Sequence, residues 1–196
     1  MEEKDREILE TENEEMNTEK KSLGREILEW IACIVIALVI TLLLRNFVFT
    51  MVRVDGSSMD PTLANGERLV MIRLGYEPKA GDIVVVDPDN GSSAPYIKRI
   101  IGMPGDLIQF ETDASGRVDV YINGELQEEA YISSDLYPGN VGQETYTVPE
   151  GHVFVMGDNR PNSKDSRDRS VGFIPFDHVL GEAAFRLWPL NRIGTP

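Results

Sequence analysis

Val118-Asp119-Val120-Tyr121-Ile122-Asn123-Gly124 alternates its side chains with period two and ends in Asn-Gly. Period two puts Val118, Val120 and Ile122 on one face of a strand. Asn-Gly is the dipeptide that best tolerates the two positive φ values of a type I′ hairpin turn. The same pattern recurs outward in both directions. Further strands are expected at Phe47–Val54, Arg68–Arg73, Asp82–Val86, Tyr96–Met103, Asp106–Phe110, Thr145–Val148, His152–Met156 and Glu182–Trp188. Between them, Pro78–Gly81, Asp87–Pro95 and Pro161–Arg169 read as loops. Gly75, Gly81, Gly102 and Gly105 suggest tight reversals or bulges. No long helical period follows residue 50, so the chain from residue 47 to 196 reads as mainly β, a folded antiparallel sheet or partly open barrel.

Upstream the character changes. Residues 1–26 form an acidic tail without aromatics and without apolar periodicity, expected to be disordered. Trp30–Leu44 is uncharged and rich in Ile, Leu, Val and Ala, and with its flanks it makes an apolar segment over 27–46. A buried core helix, a cleavable signal peptide and a retained transmembrane helix compete for it. Apolarity all round with charged flanks speaks against the first. Bulky residues in Arg45–Phe49, where a small-x-small cleavage site would stand, speak against the second. A single anchor is therefore expected, with Glu29 and Arg45 reaching the interfaces. Lys20, Lys21 and Arg25 give a slight bias that puts the N-terminus in the cytoplasm and residues 47–196 outside.

The 196 residues carry a net charge of −14, with 41% hydrophobic residues. The first 29 residues contribute eleven acids against five bases. Such acidity excludes nonspecific nucleic-acid binding and a polybasic membrane patch. One cysteine, Cys33, permits no intrachain disulfide, and neither HExxH nor CxxC spacing occurs. No metal or cofactor is expected. Oligomeric state is not legible in this sequence.

Three stretches carry chemistry. Gly56-Ser57-Ser58-Met59-Asp60-Pro61-Thr62-Leu63 offers a serine in a turn bounded by Gly and Pro. Such a turn can expose a hydroxyl and aim backbone N–H groups at a developing oxyanion. Tyr96-Ile97-Lys98-Arg99-Ile100-Ile101 places a lysine in an apolar strand. Desolvation there favours the neutral amine, which can take a serine proton. Judged alone, Lys98 also fits an edge-strand lysine that deters aggregation. His152 and His178 are the other possible bases, but neither has a comparable polar setting. Ser58 and Lys98 are thus read as a serine–lysine dyad. The third stretch, Gly157 to Arg167, is too polar for a core. It is either a solvated loop or a hydrogen-bonded support for the dyad. In the second case Asp158 and Asp165 can pair with Arg160 and Arg167, and Ser163 can partner the lysine amine.

These stretches, in this order, resemble the motifs of bacterial type I signal peptidases in their short, single-anchor Gram-positive form. The resemblance extends over Gly81-Asp82-Ile83-Val84, Gly157–Pro175 and the ending Arg186-Leu187-Trp188-Pro189. It implies a β-sheet catalytic domain of the signal peptidase/SOS-repressor type. It implies Ser58 as nucleophile, Lys98 as general base and Ser163 as the residue orienting the amine. Asp158, Arg160, Asp165 and Arg167 would form the supporting network. Some members have a serine at the position of Gly56, so here the oxyanion would rely on main-chain N–H groups, chiefly that of Ser58. Arg99 matches a family arginine to which no chemical step is assigned. Substrates would be secreted precursors, cut after a small-x-small motif at the bilayer surface. Val52, Val54, Met59, Leu63, Tyr96 and Ile97 would line the pockets. A specialised peptidase for pilin or conjugation substrates is the alternative. A self-cleaving repressor-type peptidase is disfavoured by the apolar segment.

Overall fold

The computed structural model describes residues 25, 27–42, 49–88, 91, 94–132 and 145–196. The chain divides into two compact units, Met1–Asn46 and Phe47–Pro196. In the first unit residues 27–42 are helical and exposed along their whole length. At 1.5 Å per residue they rise about 24 Å, against a hydrocarbon core of about 30 Å. No described helix is long and apolar enough to cross a membrane. Residues 43–46, which complete the anchor expected from the sequence, and most of the acidic tail lie outside the described residues.

The second unit is built from antiparallel strands. They are β1 (Phe49–Arg53), β2 (Arg68–Ile72), β3 (Ile83–Val86), β4 (Tyr96–Gly102), β5 (Leu107–Thr112), β6 (Val118–Ile122), β7 (Glu125–Leu126), β8 (Thr145–Thr147), β9 (His152–Met156), β10 (Ile174–Pro175) and β11 (Val179–Trp188). One sheet has the order β1-β2-β11-β3-β4-β9-β10 and the other β7-β6-β5-β8. All nine strands expected from the alternation are present, shifted at their ends by at most about three residues. The two-residue strands β7 and β10 are too short for a period to register. Asn123 and Gly124 have φ of 54° and 85° and join β6 to β7 with Ile122 opposite Glu125, as a type I′ turn requires. Gly102 lies at a register irregularity between β4 and β9.

Among the described residues, three apolar clusters fill the unit. Val54, Met59, Leu63, Leu69, Ile83 and Ala183 form one, and it fixes the turn that carries Ser58. Val84, Val86, Ile100, Val153, Val155 and Ile174 form the second, across β3, β4 and β9. The third is centred on Ile108, Phe110, Val120, Phe154 and Met156, where the small sheet meets β9. Strand β4 runs between β3 and β9, so Lys98 stands opposite Val84 in the sheet interior. The edge-strand reading of Lys98 is therefore excluded.

Candidate active site

Ser58 lies in the long turn between β1 and β2. Met59 and Leu63 anchor the turn by burial, and the Leu63 N–H donates to the Met59 carbonyl at 2.9 Å. Gly56 has φ of +94°, the left-handed region that glycine enters without strain. Its N–H donates to Asn65 Oδ1 at 3.1 Å, closing the turn on itself.

Lys98 is 3% exposed. Its Nζ donates to Ser58 Oγ at 2.7 Å and to the Ile97 carbonyl at 3.0 Å. Burial lowers Lys98 to about 8; the Asp165 carboxylate opposes this and the Arg167 guanidinium reinforces it. At that value about a tenth of the amines are neutral at pH 7, whereas almost none would be at the ordinary lysine value.

The loop after β9 folds back onto the strand it leaves. The Ser166 N–H donates to the Val155 carbonyl at 3.0 Å, and the Val155 N–H donates to Ser166 Oγ at 3.0 Å. Asn159 binds the nucleophile's turn twice: its N–H donates to the Ser58 carbonyl at 3.0 Å and its Nδ2 to the Ser57 carbonyl at 2.9 Å. The ion pairs differ in part from those expected. Arg167 holds Asp165 through Nε and Nη2, both at 2.8 Å, as the sequence suggested. Asp158, however, pairs with Arg99, at 2.9 and 2.8 Å, and accepts from the Thr62 hydroxyl. Arg160 instead grips Glu129 at 2.7 and 2.6 Å. The expected Asp158–Arg160 pair is thus replaced by two long-range pairs. Residues two apart in a turning loop face different neighbours, and their spacing gave no sign of them.

Burial pushes the Asp165 carboxyl up, but Arg167, the Ser163 hydroxyl and the Gly157 N–H together hold it below the ordinary carboxylate range. Ser163 Oγ is buried and makes no hydrogen bond of ordinary geometry among the described residues. It lies close to the others nonetheless: a Cβ on Gly157 would sit 2.3 Å from Ser163 Oγ and 2.4 Å from the Ser58 carbonyl oxygen. The direct Ser163–Lys98 bond anticipated from the sequence is not among the bonds Lys98 makes here.

A cleft of about 240 Å³ opens onto the dyad, lined by Arg53, Val54, Asp55, Ser58, Met59, Pro95, Tyr96, Ile97, Lys98 and Lys164. Four of the six expected pocket residues, Val54, Met59, Tyr96 and Ile97, are in this lining. Leu63, fully buried in the apolar cluster, and Val52, which packs against that cluster, are not in this lining. Sequence reading missed Glu67. This buried carboxylate meets Arg186 at 2.9 Å and Arg192 at 2.6 Å, and both arginines also donate to the Thr62 carbonyl. More than a hundred residues separate those partners, so no local signal could find them. Among the described residues no group of His, Cys, Asp and Glu side chains could hold a metal ion.

A family model described as signal peptidase, peptidase S26, matches residues 27–188. Signal peptidase I of Bacillus licheniformis is 41% identical over 188 residues, covering 90% of this chain and 97% of its own. Signal peptidase IB of Staphylococcus aureus (strain COL) is 35% identical over 188 residues, covering 87% of this chain and 94% of its own. A crystal structure of a signal peptidase I from Enterococcus faecalis V583 shares 31% identity; it covers 55% of this chain and 97% of its own, with a TM-score of 0.43.

Proposed function

The chain belongs to the signal peptidase family, peptidase S26, and on that premise we propose that it is a serine endopeptidase that removes N-terminal signal peptides from secreted precursors. The observation that carries the chemistry is the 2.7 Å contact between Ser58 Oγ and a buried Lys98 Nζ. In the neutral amine, one N–H stays on the Ile97 carbonyl and the lone pair faces the serine hydroxyl. Ser58 Oγ attacks the scissile carbonyl carbon while its proton passes to Lys98 Nζ. The Ser58 backbone N–H stabilises the oxyanion. Collapse breaks the C–N bond, and the Lys98 ammonium returns the proton to the leaving amine. Lys98 then takes a proton from water as its oxygen attacks the ester carbon, and the ammonium returns that proton to Ser58 Oγ as the acyl C–O bond breaks, which restores the hydroxyl and the neutral amine. Asp158, Arg160, Asp165, Arg167 and Ser163 serve as the polar support, with Arg99 as the partner of Asp158.

The substrate would lie extended in the cleft, as an added strand near the outer edge of β1 and beside Pro95–Ile97. Shallow walls of Val54, Met59, Tyr96 and Ile97 suit Ala-sized side chains, consistent with a small-x-small motif. Residues 27–46 serve as a single membrane anchor, with the N-terminus cytoplasmic and residues 47–196 outside. The apolar run of Trp30–Leu44 supports that reading. The names signal peptidase I and IB among the relatives favour the general activity over a specialised pilin or conjugation peptidase. Full-length protein in detergent, incubated with a precursor carrying Ala-x-Ala, tests the proposal by mass spectrometry of the products. A cut immediately after the second Ala, absent with Ser58→Ala, is expected; cleavage elsewhere or by Ser58→Ala overturns it.

A further inference from the structure

We propose that Glu129 and Tyr131 are positioning residues for catalysis: the strap 127–132, which leaves the small sheet after β7, holds Gly157-Asp158-Asn159-Arg160 against the turn that carries Ser58. The inference rests on the Ser58–Lys98 reading above.

The strap is tied to its own sheet by the Gln127 N–H, which donates to the Val120 carbonyl at 2.8 Å. From there it reaches the loop at two places. Arg160 is fully buried, a position a guanidinium can hold only with its charge matched. Glu129 supplies the match with both carboxylate oxygens, and the remaining edge of Arg160, Nε, donates to the Gly157 carbonyl at 3.0 Å. Tyr131 works on both arginines. Its hydroxyl donates to Glu129 Oε1 at 3.0 Å, and its ring lies 4.1 Å from Arg99 Cζ and 5.9 Å from Arg160 Cζ. Stacking on an aromatic face holds a guanidinium plane in one orientation. For Arg99 that plane carries the bidentate grip on Asp158.

Asp158 and Arg160 flank Asn159, and Asn159 makes the two hydrogen bonds to the Ser57 and Ser58 carbonyls. The strap therefore clamps both neighbours of the residue that fixes the nucleophile's backbone. A slide of the loop by a fraction of an ångström would be transmitted to the Ser58 Oγ–Lys98 Nζ contact, on which proton transfer depends. No residue of the strap is among those lining the cleft, so substrate binding is expected to feel such a slide much less than the chemical step.

The test compares full-length Tyr131→Leu, Tyr131→Phe, Glu129→Gln and Ser58→Ala in detergent, with kcat, KM and Tm measured for each. Tyr131→Leu is expected to lower kcat about tenfold or more, with KM within about twofold of the wild type. Tyr131→Phe keeps the ring on Arg99 and is expected to retain most of kcat. Glu129→Gln is expected to lose at least as much as Tyr131→Leu. A Tyr131→Leu protein that folds and turns over within about twofold of the wild type overturns the inference. So does a Tyr131→Leu that does not fold, or a Tyr131→Phe as poor as Tyr131→Leu. Ser58→Ala separates the premises: if it cleaves, the dyad reading fails, whereas if it is dead and Tyr131→Leu is fully active, only the role of the strap fails.

Discussion

Gly157 lies against the nucleophile's turn, and its missing Cβ is what permits the approach. Gly157→Ala would place a carbon 2.4 Å from the Ser58 carbonyl oxygen, a backbone atom that cannot rotate away. The variant is expected to lose at least about a hundredfold in kcat/KM, because a shift of about 1 Å at a reacting group costs that much; peptide cleavage kinetics on folded protein measure it, and near-normal activity would contradict the placement. Lys98 gives a second prediction, with a definite sign. Its folded value is about 8 against an ordinary 10.5, so between those values the unfolded chain binds more protons than the folded one. The buried amine therefore costs stability most fully below pH 8, and the cost fades as pH rises from 8 to 10.5. Lys98→Met should remove activity and raise stability at pH 7 by about 1–3 kcal/mol, with the gain gone near pH 10.5. Urea unfolding at the two pH values decides the matter; an unchanged or lower stability at pH 7 would mean that the amine is not desolvated. Cleavage should rise with pH to a midpoint near 8. Both residues of the proposed dyad, which the fold brings within 2.7 Å, stood out in the sequence, because a serine in a Gly-Pro-bounded turn and a lysine in an apolar strand are local anomalies. Glu67, Thr62, Glu129 and Tyr131 did not, because each meets the groups around the site through a partner far along the chain: Arg186, Asp158, Arg160 and Arg99.

Among the elements, β11 does the most to join the site together. It runs between β2 and β3, and its end brings Arg186 to Glu67 and to the Thr62 carbonyl behind the nucleophile's turn. Gly181 lies at the irregularity in its pairing with β3, at φ of +153°. A Cβ there would stand 2.2 Å from the Ile72 carbonyl oxygen on β2. Gly181→Ala should destabilise the β unit by about 1–3 kcal/mol, the usual range for overpacking in a dense interior. Thermal unfolding should show a Tm lower by several degrees; an unaltered Tm would show that β2 and β11 can part without cost. Strand positions were readable because alternation survives wherever one face of a sheet is buried. Strand order was not readable: nothing local says that β11, the last strand, inserts between β2 and β3.

On the scale of the whole molecule, the division into Met1–Asn46 and Phe47–Pro196 separates the apolar helix from every residue of the candidate site. A chain of residues 47–196 is expected to fold on its own, with β-type circular dichroism and a cooperative transition. It should cut a short Ala-x-Ala peptide; on the proposed anchor role of residues 27–46, it should process a membrane-inserted precursor at least about tenfold more slowly than the full chain, since the shared layer that would concentrate enzyme and substrate is gone. Equal rates on vesicle-bound precursor would remove any part for residues 1–46 in substrate encounter. What the sequence determined by itself was whatever depends on near neighbours. Hydrophobic period set the β class, Asn123-Gly124 set a hairpin, the apolar run set off the N-terminal segment, and three short motifs pointed to Ser58, Lys98 and the polar loop. Tertiary structure alone decided the order of the strands, the interior place of β4 that desolvates Lys98, and the exchange of ion-pair partners by Asp158 and Arg160. The physical reason is range: backbone period and turn preference act over a few residues, whereas a buried charge is matched by whichever opposite charge the fold brings within hydrogen-bond reach.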